Sequence, residues 1–528
     1  MAILGSGIVF LDGSIVTVAL PAIGAELPVT TNLGTLEAQS YVYSAYLLSL
    51  SALLIAGGAL SDSRGRRRMF AWGLGGFAVA SALCGLAPTM EFLIGARALK
   101  GAAGALVVPG SLAIINAAFE GEARARAFGL WTGASAGVTV LGPLIGGGLV
   151  DGVSWRAAFL VNLPILAFAL WATLQKVEES ARLATGEPID WYGAALTGLA
   201  VAGLTFGPIR GQEAGWTSPV VVALLVVGVG ATVAVVLRVR NRPHALVPRS
   251  LFENRTFVVV NISTFFIYGA LYVVLYMLSI HLQGTLGYTA TAAGFASVPA
   301  MVLLALFSGK VGGWSERTGP RAWLTLGPLA MAGGAVWLSF IPPTSEAWRM
   351  TGTDLSTWVP PSGYLSDVLG GVVLFGLGAM IMVAPLTAAL MGSVPHERAG
   401  VGSAFNNAVS RIGPQLAGAL AVVATTAVFY GALAERAPGL DVSDPMVRAQ
   451  VSPLNSPAPG VGEGIGDAAR EASSEAFSWA MWIGAALLVV GAGANGVGLA
   501  ARVGVPGDVE GVRLGGQICV PLDVDATG

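Results

Sequence analysis

Apolar runs long enough to cross a membrane alternate with short polar segments along most of the chain. A helix needs about 20 mainly apolar residues to cross the hydrocarbon, and in lipid it must satisfy its own backbone hydrogen bonds. The runs predict an all-α membrane protein with fourteen transmembrane helices. The predicted spans are residues 4–25, 40–61, 70–88, 91–117, 127–150, 156–176, 190–210, 217–238, 257–281, 289–312, 322–342, 364–393, 402–430 and 476–501.

The first apolar run is interpreted as a span rather than a signal peptide, because no basic stretch precedes it and no small-residue cleavage site follows it. It begins almost at Met1, without the basic residues that usually hold such an N-terminus inside, so we expect the native start to lie upstream. Two longer segments, 342–363 and 431–475, are expected to be surface loops on the outer side.

The distribution of Lys and Arg predicts the orientation, because basic residues in short loops are retained in the cytoplasm. With the N-terminus inside, nineteen Lys and Arg residues fall in cytoplasmic segments and six fall in outer loops. We therefore expect both termini in the cytoplasm. The bias toward Ala, Gly, Val and Arg is typical of a GC-rich bacterium, so the expected location is a bacterial inner membrane.

The composition excludes several classes of protein. Of the 528 residues, 54% are apolar and 11% are charged, whereas a soluble domain carries about a quarter charged residues. The net charge of −2 gives no support for a nucleic-acid partner. The sequence has no Gly-Lys-Ser/Thr nucleotide loop, and its three histidines lack metal-ligand spacing. We therefore expect neither an enzyme, nor ATP-driven transport, nor a metal or other cofactor.

A short motif occurs twice, at residues 58–67 after span 2 and at residues 312–321 after span 10. Gly, an acid, Gly and Arg recur in register in both copies. Such a repeat predicts two six-helix halves with spans 7 and 8 inserted between them, although short cytoplasmic loops collect Gly and Arg for other reasons too. The predicted division is 1–188, 189–250 for the inserted helices, 251–502, and 503–528 for a cytoplasmic tail.

Further motifs occur at fixed places in the spans. They are residues 11–21 in span 1, Arg97 to Ser111 in span 4, Gly129, Gly142, Pro143, Gly146 and Gly147 in span 5, Trp155 to Pro164 at span 6, and Gln283 to Pro299 across spans 9 and 10. Together with the repeated loop, they resemble the major facilitator superfamily, specifically its fourteen-span drug:proton antiporter family. The resemblance implies alternating access, and its span-5 motif is associated with exchange, which favours export over uptake.

Three positions depart from the pattern of that family. Ser63 stands where a basic residue is usual, Lys100 where Gln is common, and Val138 where the span-5 motif has its second Gly.

Asp12 is the acidic residue that we place near the middle of a span. An acidic side chain there costs about 2.5–3.5 kcal/mol on insertion scales, so its presence suggests a use. A carboxylate in a partly desolvated cavity can exchange a proton near working pH, which makes Asp12 the candidate proton-coupling group. The alternative is a carboxylate that only joins helices through hydrogen bonds. Under the coupling hypothesis, Asp12→Asn inserts normally and loses coupling.

Arg97 lies about six residues inside span 4, which is a depth of about 9 Å. The resemblance implies that it binds substrate or modulates Asp12, so we assign it to proton coupling as well. The alternative is that its long side chain extends to the outer surface. Lys100 lies nearly one turn further along and either shares the face of Arg97 or reaches the surface.

The first copy of the repeated loop contains an acid among arginines at a helix entrance. Such an acid can cap a helix or pair with a base in a contact that opens and closes with the two halves. The alternative is that the arginines only fix the topology. The candidate residues are Gly58, Asp62, Gly65, Arg66 and Arg67.

Two helices carry candidates for a substrate cavity. In span 13, Asn407, Arg411 and Gln415 are spaced by four, which places them on one helical face. In span 9, the same spacing relates three tyrosines that either line an aromatic cavity or pack against a neighbouring helix. They are Tyr268, Tyr272 and Tyr276, and the resemblance adds Gln283.

These features predict a proton-driven exporter of hydrophobic or amphipathic small molecules, cations included. Its expected partners are the substrate, protons and the lipid bilayer, and we expect a monomer. One alternative is a metabolite or nutrient symporter on the same fold. Another is a non-transporting membrane receptor, which has no need for Asp12 and Arg97 within the membrane.

Overall fold

The computed structural model describes residues 1–30, 33–119, 130, 131, 138, 141–177, 179, 190–241, 249–394 and 399–499. Every regular element within these residues is helical. By length and composition, ten of the helices found there are able to cross a membrane. The predicted all-α membrane fold is therefore confirmed.

The helices follow the predicted spans closely, and the longer ones alternate in direction. They are α1 (Ala2–Glu26), α2 (Thr35–Arg64), α3 (Arg66–Gly85), α4 (Met90–Ala118), α5 (141–152), α6 (Trp155–Leu160), α7 (Asn162–Lys176), α8 (Trp191–Ala214), α9 (Pro219–Asn241), α10 (Arg255–Ile280), α11 (Ala290–Ala296), α12 (Val298–Thr318), α13 (Pro320–Leu338), α14 (Leu369–Gly392), α15 (Ala399–Arg436), α16 (Pro445–Gln450) and α17 (Glu463–Gly498).

Four of the fourteen predicted spans are not among the ten apolar helices. Three of them coincide with α2, α3 and α13, which are helical but less apolar: α2 carries several serines and a glutamate, and α3 begins with three arginines. The fourth, span 5, lies partly outside the described residues. The number fourteen therefore stays a prediction.

The helices form two groups. Helices α1 to α7 pack on one another as an N-terminal bundle, and α10 to α17 pack as a C-terminal bundle. The bundles meet where α1 contacts α10 and α11, and where α2 contacts α15. We call the end at which α1 ends and α2 begins the upper end of the molecule, and the end at which α2 ends and α3 begins the lower end.

Helices α8 and α9 form a hairpin, and its helix α8 packs on both α2 and α15. At the lower end, Asp190 accepts a hydrogen bond from Gly193 N and binds the guanidinium of Arg238 at 2.6–3.0 Å. At the upper end, Arg210 of α8 forms an ion pair with the buried Glu37 of α2 at 3.3 Å. The inserted hairpin is thus tied to the N-terminal bundle by a buried carboxylate.

The two copies of the repeated loop form the same turn. Gly65 joins α2 to α3 with φ +104°, and Gly319 joins α12 to α13 with φ +86°. Because side chains disfavour this region of backbone conformation, both turns require glycine. A Cβ atom at Gly65 would also lie 2.6 Å from a carboxylate oxygen of Glu179. The repeat seen in the sequence therefore corresponds to a repeated helix–turn–helix geometry.

The segment 431–475 differs from the expected surface loop. Helix α15 continues to Arg436, α17 begins at Glu463, and a short helix, α16, lies between them. Leu454 is fully buried, and its backbone nitrogen donates to Ser473 Oγ of α17. Part of this segment is a packed cover over the upper end of the C-terminal bundle.

Candidate functional site

Three charged side chains meet inside the N-terminal bundle and are completely buried. Asp12 on α1 forms ion pairs with Arg97 and Lys100 on α4, one through each carboxylate oxygen. Arg97 and Lys100 are three residues apart, so they project from the same face of α4. We call these three residues the charged cluster.

The guanidinium of Arg97 has further partners on α2. Its Nε donates to the carbonyl of Val42 at 3.1 Å, and its carbon lies 4.2 Å from the ring centroid of Tyr46. Tyr46 is held in place by donating to Val9 O at 2.8 Å. The Arg97 side chain therefore turns toward the interior and does not extend to the upper surface.

The ammonium of Lys100 lies among aromatic rings. Its Nζ is 4.9 Å from the ring centroid of Phe77 and 5.0 Å from that of Phe159. On α7, Asn162 adds a neutral contact, because its Nδ2 donates to Asp12 Oδ1 at 3.3 Å. The cluster holds one carboxylate and two cations, so its net charge is +1 when all three are ionised.

A second group of candidates lies where α10 of the C-terminal bundle meets α2. The rings of Tyr43 and Tyr272 stack with centroids 4.6 Å apart, and Tyr272 stacks on Tyr276 at 4.7 Å. We call these three the tyrosine stack. It joins the two bundles, and Tyr268, one turn below, is half-buried. Sequence reasoning missed Tyr43, although Tyr43 and Tyr46 in span 2 share the three-residue spacing of a helical face.

The polar face of α15, formed by Asn407, Arg411 and Gln415, points toward the N-terminal bundle near its middle. The Arg411 guanidinium carbon is 5.7 Å from the ring centroid of Phe10 on α1. Among the described residues, Arg411 forms no ion pair, and its buried Nε has no hydrogen-bond partner. Gln415 is 1% exposed, and within the same part of the chain neither of its amide atoms is hydrogen-bonded.

Gln283 lies apart from these residues. It belongs to the π-helical turn His281–Thr285 that ends α10 at the upper end, and its Nε2 donates to Ser279 O at 3.1 Å and to Ser279 Oγ at 3.2 Å. Ser279 Oγ in turn donates to Thr17 O of α1 at 3.3 Å. Gln283 therefore supports a contact between the bundles.

The glycines of the span-5 motif pack α5 against α1. A Cβ atom at Gly142 would collide with Ser14, and one at Gly146 would lie 3.1 Å from Ile15 O. Small residues at these places let the two backbones approach closely. Gly129, the first glycine of the motif, lies outside the described residues.

The same motif also reaches the C-terminal bundle. A Cβ atom at Gly147 would lie 2.6 Å from Ala290 O of α11, and one at Gly294 of α11 would collide with the carbonyl of Pro143. Asp151, at the end of α5, accepts hydrogen bonds from Ala290 N at 3.1 Å and from the next backbone nitrogen at 2.6 Å. The motif thus forms one of the contacts between the bundles at the upper end.

At the lower end, the repeated loop has a partner that sequence reasoning missed. Glu179 accepts hydrogen bonds from the backbone nitrogens of Arg67 and Arg68, both at 3.2 Å, at the start of α3. Arg67 also donates to Leu174 O at 2.5 Å. A carboxylate at a helix N-terminus is favoured by the helix dipole.

The structure gives fewer contacts for the other candidate residues of the repeated loop. Gly58 makes only ordinary contact with Pro109, whereas a Cβ atom at the adjacent Gly57 would collide with the carbonyl of Ala105. Arg66 has interactions with neighbouring residues. The side chain of Asp62 lies outside the described part of the structure, so its contact stays a prediction.

Comparisons with known proteins agree with this architecture. The chain is 33% identical over 412 residues to the multidrug resistance protein Stp of Mycobacterium tuberculosis, which covers 78% of this chain and 72% of that one. It is 32% identical to the puromycin resistance protein pur8 of Streptomyces alboniger, over 81% of this chain and 80% of that one. Its relatives include transporters named for multidrug and antibiotic resistance.

The fold is also similar to that of solved transporters. A bacterial homologue of the human lysosomal transporter Spinster, in an inward-facing and unoccupied conformation, aligns with a TM-score of 0.59 at 17% identity, over 94% of this chain and 96% of that one. The sequence pattern of the Major Facilitator Superfamily matches residues 2–419. The chain therefore belongs to the major facilitator superfamily, as its motifs predict.

Proposed function

We propose that this protein is a proton-driven antiporter that exports aromatic antibiotics by alternating access between its two bundles. The observation that carries the proposal is the buried cluster of one carboxylate and two cations on α1 and α4. Burying charged groups within the membrane is costly, so their presence points to a function. A change in its protonation alters the attraction between α1 and α4.

Helix α1 is the element that would transmit this change. Besides Asp12, it carries Phe10 beside Arg411 of α15, Ile15 against the glycines of α5, and Thr17 against α10. One helix therefore contacts the charged cluster, the polar face of α15 and the upper contact between the bundles. A shift of α1 on proton exchange would change the contacts at each of these three places.

The charges near the middle of the molecule favour uncharged or anionic substrates over cationic ones. Asp12 is the acidic residue placed in the middle of a span, and both of its oxygens are occupied by cations. Arg411 adds another positive charge beside the aromatic rings of Phe10 and the tyrosine stack. An aromatic compound with an acidic group would meet both a cation and stacking surfaces.

Export is preferred to uptake because the relatives are named for resistance, and because the span-5 motif lies at a close contact between the bundles. We further propose fourteen spans in two six-helix halves, with the upper end outside and both termini in the cytoplasm. The arginine distribution supports this orientation. The unit is a monomer, since one chain supplies both bundles.

The test uses a pump-deficient bacterial host and two dyes, fluorescein and rhodamine 123, which share a xanthene core but carry opposite charge. Cells that express the protein should resist an aromatic antibiotic that carries an acidic group, and they should expel fluorescein faster than rhodamine 123. In inverted vesicles, fluorescein should release protons from an acidified lumen. Absence of resistance, dye efflux and proton release at verified expression would contradict the proposal, and preference for rhodamine 123 would contradict the substrate charge.

A further inference from the structure

We propose that Lys100, rather than Asp12, carries the transported proton, an inference that rests on the proposed antiport. Both groups are fully buried in one cluster, and the ordinary pKa values of lysine and aspartic acid lie about equally far above and below neutral pH, so the total charge of each protonation state decides between them. Arg97 does not lose its proton in proteins, which leaves Lys100 and Asp12 as the groups able to exchange one.

The charge count separates the two candidates. When Lys100 Nζ releases its proton, the cluster changes from Asp12⁻, Arg97⁺ and Lys100⁺, with net charge +1, to a neutral group that contains one ion pair. When Asp12 takes up a proton, the same cluster changes from +1 to +2. Two cations then face each other without a carboxylate, which is far more costly in a low-dielectric interior.

The neighbours of Lys100 do not change the conclusion that deprotonation of Lys100 costs less than protonation of Asp12. Besides Asp12 and Arg97, the groups of the described residues that face the cluster are the buried thiol of Cys84 on α3, the phenols of Tyr43 and Tyr46 on α2 and the neutral amide of Asn162 on α7. None of them brings a second negative charge. The rings of Phe77 and Phe159 favour a cation at Nζ and accommodate a neutral amine as well.

The protonation cycle follows from this arrangement. In the state open to the outside, Lys100 binds a proton and the cluster becomes positive. In the state open to the cytoplasm, Nζ gives that proton to water and the Asp12–Arg97 pair remains. Asp12 stays ionised throughout, and it acts as the positioning partner for both cations.

The first test needs no substrate. Purified protein in lipid nanodiscs is titrated from mildly acidic to mildly alkaline pH, and infrared difference spectra are recorded for wild type and for Lys100→Gln. We expect a change of ammonium bands that is lost in Lys100→Gln, with no protonated-carboxyl band assignable to Asp12. A carboxyl band that titrates in wild type and is absent in Asp12→Asn would overturn the proposal.

The second test separates charge from proton exchange. Lys100→Arg keeps the positive charge and donor capacity but cannot release a proton, and Lys310→Arg on the exposed face of α12 is the matched control. In proteoliposomes, Lys100→Gln, which keeps the cluster in its deprotonated charge state, should still exchange fluorescein for fluorescein, whereas the proton-driven accumulation of fluorescein by Lys100→Arg should fall to the level of protein-free vesicles. Accumulation like that of Lys310→Arg would overturn the proposal.

These tests also distinguish failure of this inference from failure of the proposed antiport. If wild type moves neither fluorescein nor protons, the antiport is wrong, and the infrared titration still decides which group of the cluster exchanges a proton. If wild type is coupled and Lys100→Arg is coupled too, only the role of Lys100 is wrong.

Discussion

The charges of the two bundles are arranged in opposite ways. In the N-terminal bundle, Asp12, Arg97 and Lys100 are buried within one set of helices and bound to one another. In the C-terminal bundle, Arg411 lies at the surface that faces the other bundle and has no ion-pair partner among the described residues. The paired charges hold helices of one bundle together, whereas the unpaired charge remains available to a molecule between the bundles.

Because of this difference, removal of a charge should have opposite consequences for stability at the two places. Loss of a partner from a buried cluster leaves an uncompensated charge and destabilises the fold. Loss of an unpaired buried cation removes a desolvation cost and leaves the fold intact. Substitutions in the charged cluster should therefore lower the stability of the fold, whereas substitutions on the polar face of α15 should weaken substrate recognition.

The largest effect is expected for Asp12→Asn, which leaves Arg97 and Lys100 without a carboxylate. Breaking such a buried group costs about 3–5 kcal/mol, so the midpoint of thermal unfolding in detergent should fall strongly. The double variant Asp12→Asn/Lys100→Gln restores the net charge of +1 and should regain part of the loss. Unfolding of Asp12→Asn at the wild-type temperature would contradict the pairing.

Arg411→Gln should show the opposite pattern. Thermal unfolding should be unchanged or occur at a higher temperature, because no ion pair of the described residues is lost. Fluorescein efflux should fall by about tenfold or more, since a hydrogen bond to a charged group contributes about 1.5–3 kcal/mol. Arg411→Lys keeps the charge and should retain part of the activity. A large loss of stability in Arg411→Gln would remove the contrast between the bundles.

The contact between the bundles is tested by Gly147→Ala, with Gly148→Ala as the matched control. The new Cβ atom at Gly147 would press on the backbone of α11, whereas at Gly148 nothing lies within 4 Å. Overpacking of this kind costs about 1–3 kcal/mol, so we expect slower efflux in Gly147→Ala at normal expression. Equal efflux in the two variants would show that this contact does not limit transport.

The smallest effect is expected for Tyr43→Leu, which removes one ring of the tyrosine stack. An aromatic pair contributes about 0.5–1.5 kcal/mol, so the population open at the upper end should rise roughly two- to tenfold. A cysteine placed at Thr17 in a Cys84→Ala/Cys519→Ser background should then react faster with a membrane-impermeant thiol reagent from that side. Tyr43→Phe keeps the ring and should label like the parent.

The helices and the repeated turn were predictable from sequence because their causes are local. Apolar length decides a span, and a glycine with positive φ marks the turns at Gly65 and Gly319. The ion pairs of Asp12 with Arg97 and Lys100 were not predictable from sequence, since Arg97 and Lys100 lie 85 and 88 positions from Asp12 along the chain. A helix that is apolar on all sides gives no signal of how it is rotated about its axis.

The same limit explains the partners that were missed. Tyr43 belongs to the tyrosine stack only because α2 presents that face to α10, and Glu179 reaches α3 from a polar segment beyond α7. The structure also changes the expectation for Asp12→Asn, which from sequence alone should insert normally and lose coupling. Because two cations share one carboxylate, a loss of stability is now predicted in addition to a loss of coupling.

The hairpin of α8 and α9 has a consequence for lipid-soluble compounds. Because α8 packs on both α2 and α15, it covers the seam along which these two helices of different bundles meet. Acyl chains, and any compound dissolved among them, are kept away from that seam along the length of the hairpin. A molecule that reaches the centre from within the bilayer is therefore excluded from the side of the molecule that this hairpin covers.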